Sequence, residues 1–117
     1  MAAYRLTPTA RASLRGVVRW TNDRVGPRQA ERYRSLFFVA FERLGWGDKG
    51  RSVRDVLAPR APADLRFVKV GSHYVLFRER EGQVEVTDVL HEAMDVVGRV
   101  RGLDGAATSR LAPINTS

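Results

Sequence analysis

The sequence predicts an α+β domain in which a helical hairpin precedes a small antiparallel β-sheet and a short helix follows it. Two observations carry this prediction. Between Leu65 and Leu90, short runs rich in Val, Phe and Leu are broken by Gly71-Ser72 and Glu81-Gly82, the two-residue Gly-containing breaks of consecutive β-hairpins. Ahead of them, Thr7-Pro8 and Gly26-Pro27 each open a stretch whose apolar residues recur every three or four positions, the helical period.

Ala3-Tyr4-Arg5-Leu6 alternates apolar and polar residues and reads as an edge strand joining the later sheet. Thr7 offers an N-cap hydroxyl and Pro8 a ring suited to the first helical position. The helix they start presents Ala10, Leu14, Val17 and Val18 as its core stripe, and Arg11, Arg15 and Arg19 as a second, basic stripe. Like charges four apart slightly weaken a helix, so the basic stripe is either a solvated face or a surface kept for an acidic partner. Gly26 suits a left-handed cap and Pro27 the next helix start. From Pro27 to Leu44, a stripe of Ala30, Tyr33, Phe37, Ala40, Phe41 and Leu44 is predicted to be buried. Leu36, Phe38 and Val39 widen the apolar arc, so this helix is covered on more than one side or binds something with one of them. Gly45 to Ala63 is rich in Gly, Pro and charge, a long loop with room for one helical turn.

Two-residue loops then fix a register that sets Val70 opposite His73, Val68 opposite Val75, Arg66 and Val86 opposite Phe77, and His73 opposite Leu90. One sheet face collects Val68, Val70, Val75, Phe77, Val84, Val86 and Leu90, with Asp88 out of place on it as the mark of a bulge. The other collects Leu65, Phe67, Lys69, Tyr74, Leu76, Arg78, Glu85, Thr87 and Val89. A sheet apolar on both faces needs a cover on both. His91 to Arg101 can form the closing helix, docked by Ala93, Val96, Val97 and Val100, which bounds a single domain at residues 1–101 and leaves 102–117 as a flexible tail.

Composition narrows the function classes. Cysteine is absent, which removes disulfides, thiol chemistry and thiolate metal sites; two histidines without companion ligands argue against a metal centre, and no cofactor is expected. No apolar run approaches the ~20 residues that span a bilayer, and the start of the chain has no signal-peptide pattern; a cytoplasmic protein without a membrane partner is expected. Net charge is +7, unevenly placed: residues 1–60 hold 13 Lys and Arg against 5 acids, residues 61–117 hold 7 against 8. A basic half attracts nucleic acid or an acidic protein. Because 18 of the 20 cations are Arg beside many Ala, Gly and Val, the excess also fits the coding bias of a GC-rich genome. His73 falls next to a turn on the core side and reads as structural, His91 as the cap of a turn, and Trp20 and Trp46 as core or loop packing.

Several segments in this order resemble ParE-type toxins of the RelE/ParE superfamily. They are Tyr4-Arg5-Leu6-Thr7 with Ala10 and Leu14, Gly26 with Gln29-Ala30-Glu31-Arg32-Tyr33, and Phe41-Glu42-Arg43-Leu44. Gly50-Arg51, Val70-Gly71-Ser72-His73 with the run to Arg78, and Val89-Leu90-His91-Glu92 with Met94-Asp95 complete the set, so that the resemblance covers residues 4–100. It implies a RelE/ParE-like fold with the helical hairpin packed on one face of the sheet. It also implies the toxin half of a type II toxin–antitoxin system that poisons DNA gyrase. The implied partner is a ParD-like antitoxin of ribbon-helix-helix type, whose C-terminal segment wraps the toxin and through which alone DNA is reached. Relatives on the RelE branch are instead ribosome-dependent mRNA endonucleases.

Cleavage at a 2′-OH needs a base, cations for the phosphorane and an acid for the leaving oxygen. Lys69, Arg78 and His91 are the residues that would carry it. Where RNA-cleaving relatives often have an arginine after the histidine, this chain has Tyr74, beside Phe67 and Leu76, and an apolar centre suits a dianionic transition state poorly. A non-enzyme is therefore expected. Its partner site is predicted on the second sheet face, as the apolar strip Leu65, Phe67, Tyr74 and Leu76 flanked by Lys69 and Arg78, with Arg11, Arg15 and Arg19 as the secondary basic stripe.

Overall fold

The computed structural model describes residues 4–104, with side chains through residue 100. In chain order the elements are β1 (Tyr4–Leu6), α1 (Pro8–Val25), α2 (Pro27–Gly45), β2 (Arg51–Ser52), α3 (Val53–Val56), β3 (Arg66–Val70), β4 (His73–Arg80), β5 (Gln83–His91) and α4 (Val96–Asp104). The sheet has the order β1-β5-β4-β3-β2. Thr7 caps α1 as expected, its hydroxyl accepting from the Ala10 amide at 3.0 Å and donating to the Thr87 carbonyl at 2.9 Å. Gly26, at φ 95°, separates the two long helices. Gly71 alone in its turn has positive φ, as a type II′ turn requires, whereas Glu81 and Gly82 both have it, the type I′ pattern.

The fold class stands, with four differences of detail. First, β1 runs parallel to β5, so the sheet is mixed; Ala3, predicted in that strand, lies outside the described residues. Second, the Gly45–Ala63 stretch contributes a short edge strand, β2, as well as the expected helical turn. Third, α4 starts only at Val96, because His91 to Asp95 form a turn in which the His91 Nδ1 accepts from the Ala93 amide at 3.0 Å. Gly102 to Asp104 belong to α4 rather than to the predicted tail, and residues 105–117 lie outside the described part. Fourth, Trp20 and Trp46 are not packed inside but are 55% and 67% exposed.

The hairpin register holds from Val70/His73 through Phe77/Val86. Beyond Phe77 it shifts by one: Leu76 pairs with Asp88, and His73 pairs with His91 instead of Leu90. One extra residue in β5 flips every side chain after it to the other face. Val89, predicted on the second face, therefore joins Val75, Phe77 and Val86 in the core under α1 and α2, together with Leu14, Phe37 and Phe41. Leu90 crosses to the opposite face.

That opposite face is a second core. Leu65, Phe67, Leu76 and Leu90 are buried there against Val53, Ala58 and Ala61 of the β2–β3 connection and Val100 of α4. The connection is pinned by the Arg54 Nε, which donates to the Ala61 carbonyl at 2.8 Å. The chain thus supplies its own cover for the face predicted to be open.

A hydroxyl sets the β3–β4 turn. Tyr33 Oη lies 2.9 Å from the Val70 carbonyl, 2.8 Å from His73 Nδ1 and 3.3 Å from the Ser72 amide. A carbonyl only accepts, so the single Tyr33 proton goes to Val70, and both His73 Nδ1 and the Ser72 N–H donate to the hydroxyl oxygen. This assigns the neutral Nδ1–H tautomer to His73. Burial, then the nearby His91, lower the His73 pKa to about 4, against a smaller opposing pull from Glu92.

Two predictions follow from this packing. Phe77→Ala, in the helix-side core, is expected to cost about 3–5 kcal/mol and Leu76→Ala, in the second core, about 2–5 kcal/mol in urea unfolding. The half-buried Tyr74 should cost markedly less when truncated, and equal losses at Leu76 and Tyr74 would refute the second core. The other concerns pH. His73 takes up a proton on unfolding between its ordinary 6.5 and about 4, so its contribution is fully present above pH 6.5 and is lost as pH falls toward 4. Wild type should lose on the order of 1–3 kcal/mol between pH 7 and pH 4 that His73→Gln does not lose.

Candidate functional site

The strip expected to receive a partner is divided by the structure. Leu65, Phe67 and Leu76 are 0%, 4% and 0% exposed, and their apolar surface is spent on the second core. Arg78 is buried beside them; its Nε has no hydrogen-bond partner among the described residues, and Asp64 lies 3.6 Å away. Only Lys69 and the half-buried Tyr74 reach solvent, Lys69 Nζ meeting a Glu92 carboxylate oxygen at 2.7 Å. That ion pair raises the Lys69 pKa and lowers the Glu92 pKa. Of the four-residue apolar strip expected between Lys69 and Arg78, only Tyr74 is therefore left partly open. The sequence signal that could have foretold this was Val53 and Leu57 in an otherwise polar stretch, together with Val96 and Val100, all of which dock on the second core.

Nor do the three residues required by the RNA-cleavage reading converge. Lys69 pairs with Tyr74, four positions along β4 from Arg78, or about 13 Å of strand. His91 stands at the other end of β5 from Arg78, its ring 5.0 Å from that of His73. With Nδ1 taken up by the Ala93 amide, a neutral His91 carries its proton on Nε2. Among the described residues no three His, Asp or Glu side chains are grouped to hold a metal ion, and no helix is long and apolar enough to cross a membrane.

The secondary basic stripe has the more developed setting. Arg11, Arg15 and Arg19 line one wall of a groove of about 620 Å³ between α1 and α2. They project from successive turns over about 12 Å of helix. Leu6, Leu14, Val18 and Phe38 lie along the groove, and Arg34 and Glu31 form part of the opposite wall. Arg34 stacks 4.7 Å above the Phe38 ring and is 3.6 Å from Glu31, an exposed pair that neutralises little. An apolar trough with a cationic rim is suited to an amphipathic, acidic segment. Sequence reasoning found the three arginines but missed Arg34 and the role of Phe38; the signal was the widened apolar arc of the second helix.

A second hollow, of about 520 Å³, opens between α1 and the end of β5, with His73, His91 and Trp20 among its walls. Asp88 lies near it, accepting from Ser13 Oγ at 2.6 Å and from the Val89 amide at 2.8 Å, with Arg99 Nη2 at 3.3 Å. This carboxylate is structural, joining α1, β5 and α4.

Comparison with known proteins gives this geometry its family. Residues 4–96 match the model of the ParE toxin of the type II toxin–antitoxin system, parDE. Toxin ParE of Escherichia coli is 35% identical over 101 residues, covering 86% of this chain and 94% of that protein. Toxin ParE1 of Mycobacterium tuberculosis (strain CDC 1551 / Oshkosh) is 34% identical over 94 residues, covering 80% and 92%. A solved chain described as the chromosomal ParDE TA system from P. aeruginosa superposes with a TM-score of 0.64, covering 78% of this chain and 96% of that one; at 16% identity it bears on the fold alone. The matched span runs from β1 to the first residue of α4 and includes both walls of the arginine groove, and the chain belongs to the ParE toxin family of type II toxin–antitoxin systems.

Proposed function

We propose that this chain acts by binding rather than by chemistry: it inhibits DNA gyrase in the cytoplasm and is neutralised by a ParD-like antitoxin of ribbon-helix-helix type, through which alone it reaches DNA. The family supports a toxin with an antitoxin partner, and the observation that carries the binding reading is the arginine-rimmed groove between α1 and α2. An acidic amphipathic segment of the antitoxin laid in that groove would set its apolar side chains against Leu14, Val18 and Phe38. Its carboxylates would meet Arg11, Arg15, Arg19 and Arg34. This occupant accounts for the excess of cations in the first half of the chain without a nucleic-acid ligand. The RNA-cleaving alternative is disfavoured because Lys69, Arg78 and His91 face different surroundings.

Two outcomes test the reading. Arg15→Glu with Arg19→Glu, both exposed positions, should leave the fold intact and weaken binding of the protein encoded immediately upstream by about tenfold or more, measured by calorimetry at low salt. Wild-type affinity in that variant would move the antitoxin off the groove. In the second test, purified toxin should block supercoiling by gyrase and leave ribosome-bound message uncut; message cleavage abolished by His91→Ala would replace the binding reading with the endonuclease one.

A further inference from the structure

We infer that the hollow between α1 and the end of β5 binds a free purine nucleoside or nucleotide, its base held by the imidazoles of His73 and His91 and stacked at Trp20. The inference is independent of the antitoxin and gyrase readings. Ser13, Gly16, Val17 and Trp20 reach this hollow from the flank of α1 opposite Arg11, Arg15 and Arg19, so the arginine groove can be filled at the same time. The hydrogen bonds of the two imidazoles, which pair across β4 and β5, fix what they offer a ligand. His73 gives its Nδ1–H to the Tyr33 hydroxyl at 2.8 Å, which leaves Nε2 a bare acceptor. His91 takes the Ala93 amide on Nδ1 at 3.0 Å, which leaves Nε2 with a proton to donate. The rings pack edge to face, their centroids 5.0 Å apart. Neither Nε2 has a hydrogen-bond partner among the described residues. Neither is sealed off, because Arg78 Nε is the one buried side-chain nitrogen or oxygen among those residues that lacks a partner. An acceptor beside a donor matches the adjacent N–H and lone pair on the pairing edge of a nucleobase.

The rest of the hollow suits a flat apolar ring. Val17, Val89, Ala93 and Met94 line it, and its volume of about 520 Å³ is that of a small-molecule site. Met94 is held by its sulfur, which accepts from the His91 amide at 3.3 Å. Trp20 is backed by Arg24, whose guanidinium lies 4.8 Å from the ring centre. A cation on one face of an indole leaves the other for a stacked base, and packing within the chain does not account for the exposure of this ring. Gly16 points the same way. A glycine inside an 18-residue helix costs stability relative to alanine, and close packing does not ask for it here: a Cβ placed on Gly16 meets no atom within 4 Å. A side chain at that position would instead enter the hollow. Charge sets the size of the ligand. Arg99 is the one arginine among the walls, and no lysine joins it. It is half exposed and meets Asp88 through Nη2 at 3.3 Å, so its remaining N–H groups can take a phosphate. A nucleic-acid strand needs cations in a row along its backbone, and a single arginine serves it poorly.

Adenosine and adenosine monophosphate are titrated into the purified chain by calorimetry. Purine riboside, which lacks the amino N–H of adenosine, is the ligand-side control and needs no variant to fold. The expected Kd is on the order of 100 µM for adenosine and no weaker for the monophosphate, with purine riboside binding about tenfold weaker or worse. In a long-range nitrogen–proton spectrum, Nε2 of His73 should be unprotonated in the free chain and shift as adenosine is added. Gly16→Leu fills the hollow from a helix position without a clash. It should unfold at the wild-type temperature or above and bind adenosine about tenfold weaker or worse. His91→Phe keeps a ring, removes the donor and should show the same loss; Gly16→Leu carries this arm where His91→Phe disturbs its turn. No binding of adenosine at millimolar concentration overturns the site. So does undiminished binding by a folded Gly16→Leu chain, equal affinity for purine riboside, or binding that leaves the His73 Nε2 signal unmoved. A single-stranded oligoadenylate that binds about a hundredfold tighter than the monophosphate would give the hollow to a nucleic-acid strand and also overturn the proposal.

Discussion

The one-residue bulge in β5 is the constraint on which the architecture turns. Without it the side chains of β5 would alternate unbroken from Val84 to His91, and Asp88 would point into the helix-side core. With it, Val84, Val86 and Val89 serve the core under the helices and Leu90 serves the core under α4. The extra residue is held on several sides. The Thr87 carbonyl accepts from the Thr7 hydroxyl, the Thr87 hydroxyl donates to the Leu76 carbonyl at 3.2 Å, and the Asp88 carboxylate receives Ser13, the Val89 amide and Arg99. A buried carboxylate is costly unless it is paired and hydrogen-bonded, and here the same bonds that satisfy Asp88 also seat α1 and α4 on the sheet.

Local chemistry made most of the fold legible. The Thr7 cap, the Gly26 break between the helices, the positive-φ glycines of both hairpin turns and the helical stripe from Ala30 to Leu44 are properties of a few adjacent residues, and they lie where the pattern puts them. Gly26 itself has ψ 168° and not the left-handed helical conformation expected of it. Misreadings occurred where distant segments decide. The bulge was signalled by Asp88 alone, and its position depends on Thr7 and Ser13, more than seventy residues earlier. The parallel pairing of β1 and the short β2 leave no mark on a three- or two-residue segment beyond weak alternation.

The candidate site was legible in its charges and not in its surfaces. Arg11, Arg15 and Arg19 were identified from spacing, since helix geometry alone puts them on one face. The apolar strip was misread because a half-apolar sheet face demands a cover without saying whose. Here two pieces far apart in sequence, around Val53–Ala61 and Val96–Val100, provide it from within the chain. Lys69 and Tyr74 keep a more open position because β2 stops opposite Phe67, three residues short of the end of β3.

The pairing of β1 with β5 reaches beyond the sheet. Tyr4, Arg5 and Leu6 lie against Val84, Glu85 and Val86, an ion pair at 3.0 Å between Arg5 and Glu85 ties their outer side, and Leu6 lines the arginine groove. The two helices are therefore enclosed in a chain loop whose ends meet at the sheet, and the groove between them has a strand as part of its base. Its depth depends on that closure as much as on the helices. A ligand seated there would grip the first strand as well as the hairpin, so occupancy at the helices would be felt as slowed fraying at the far margin of the sheet.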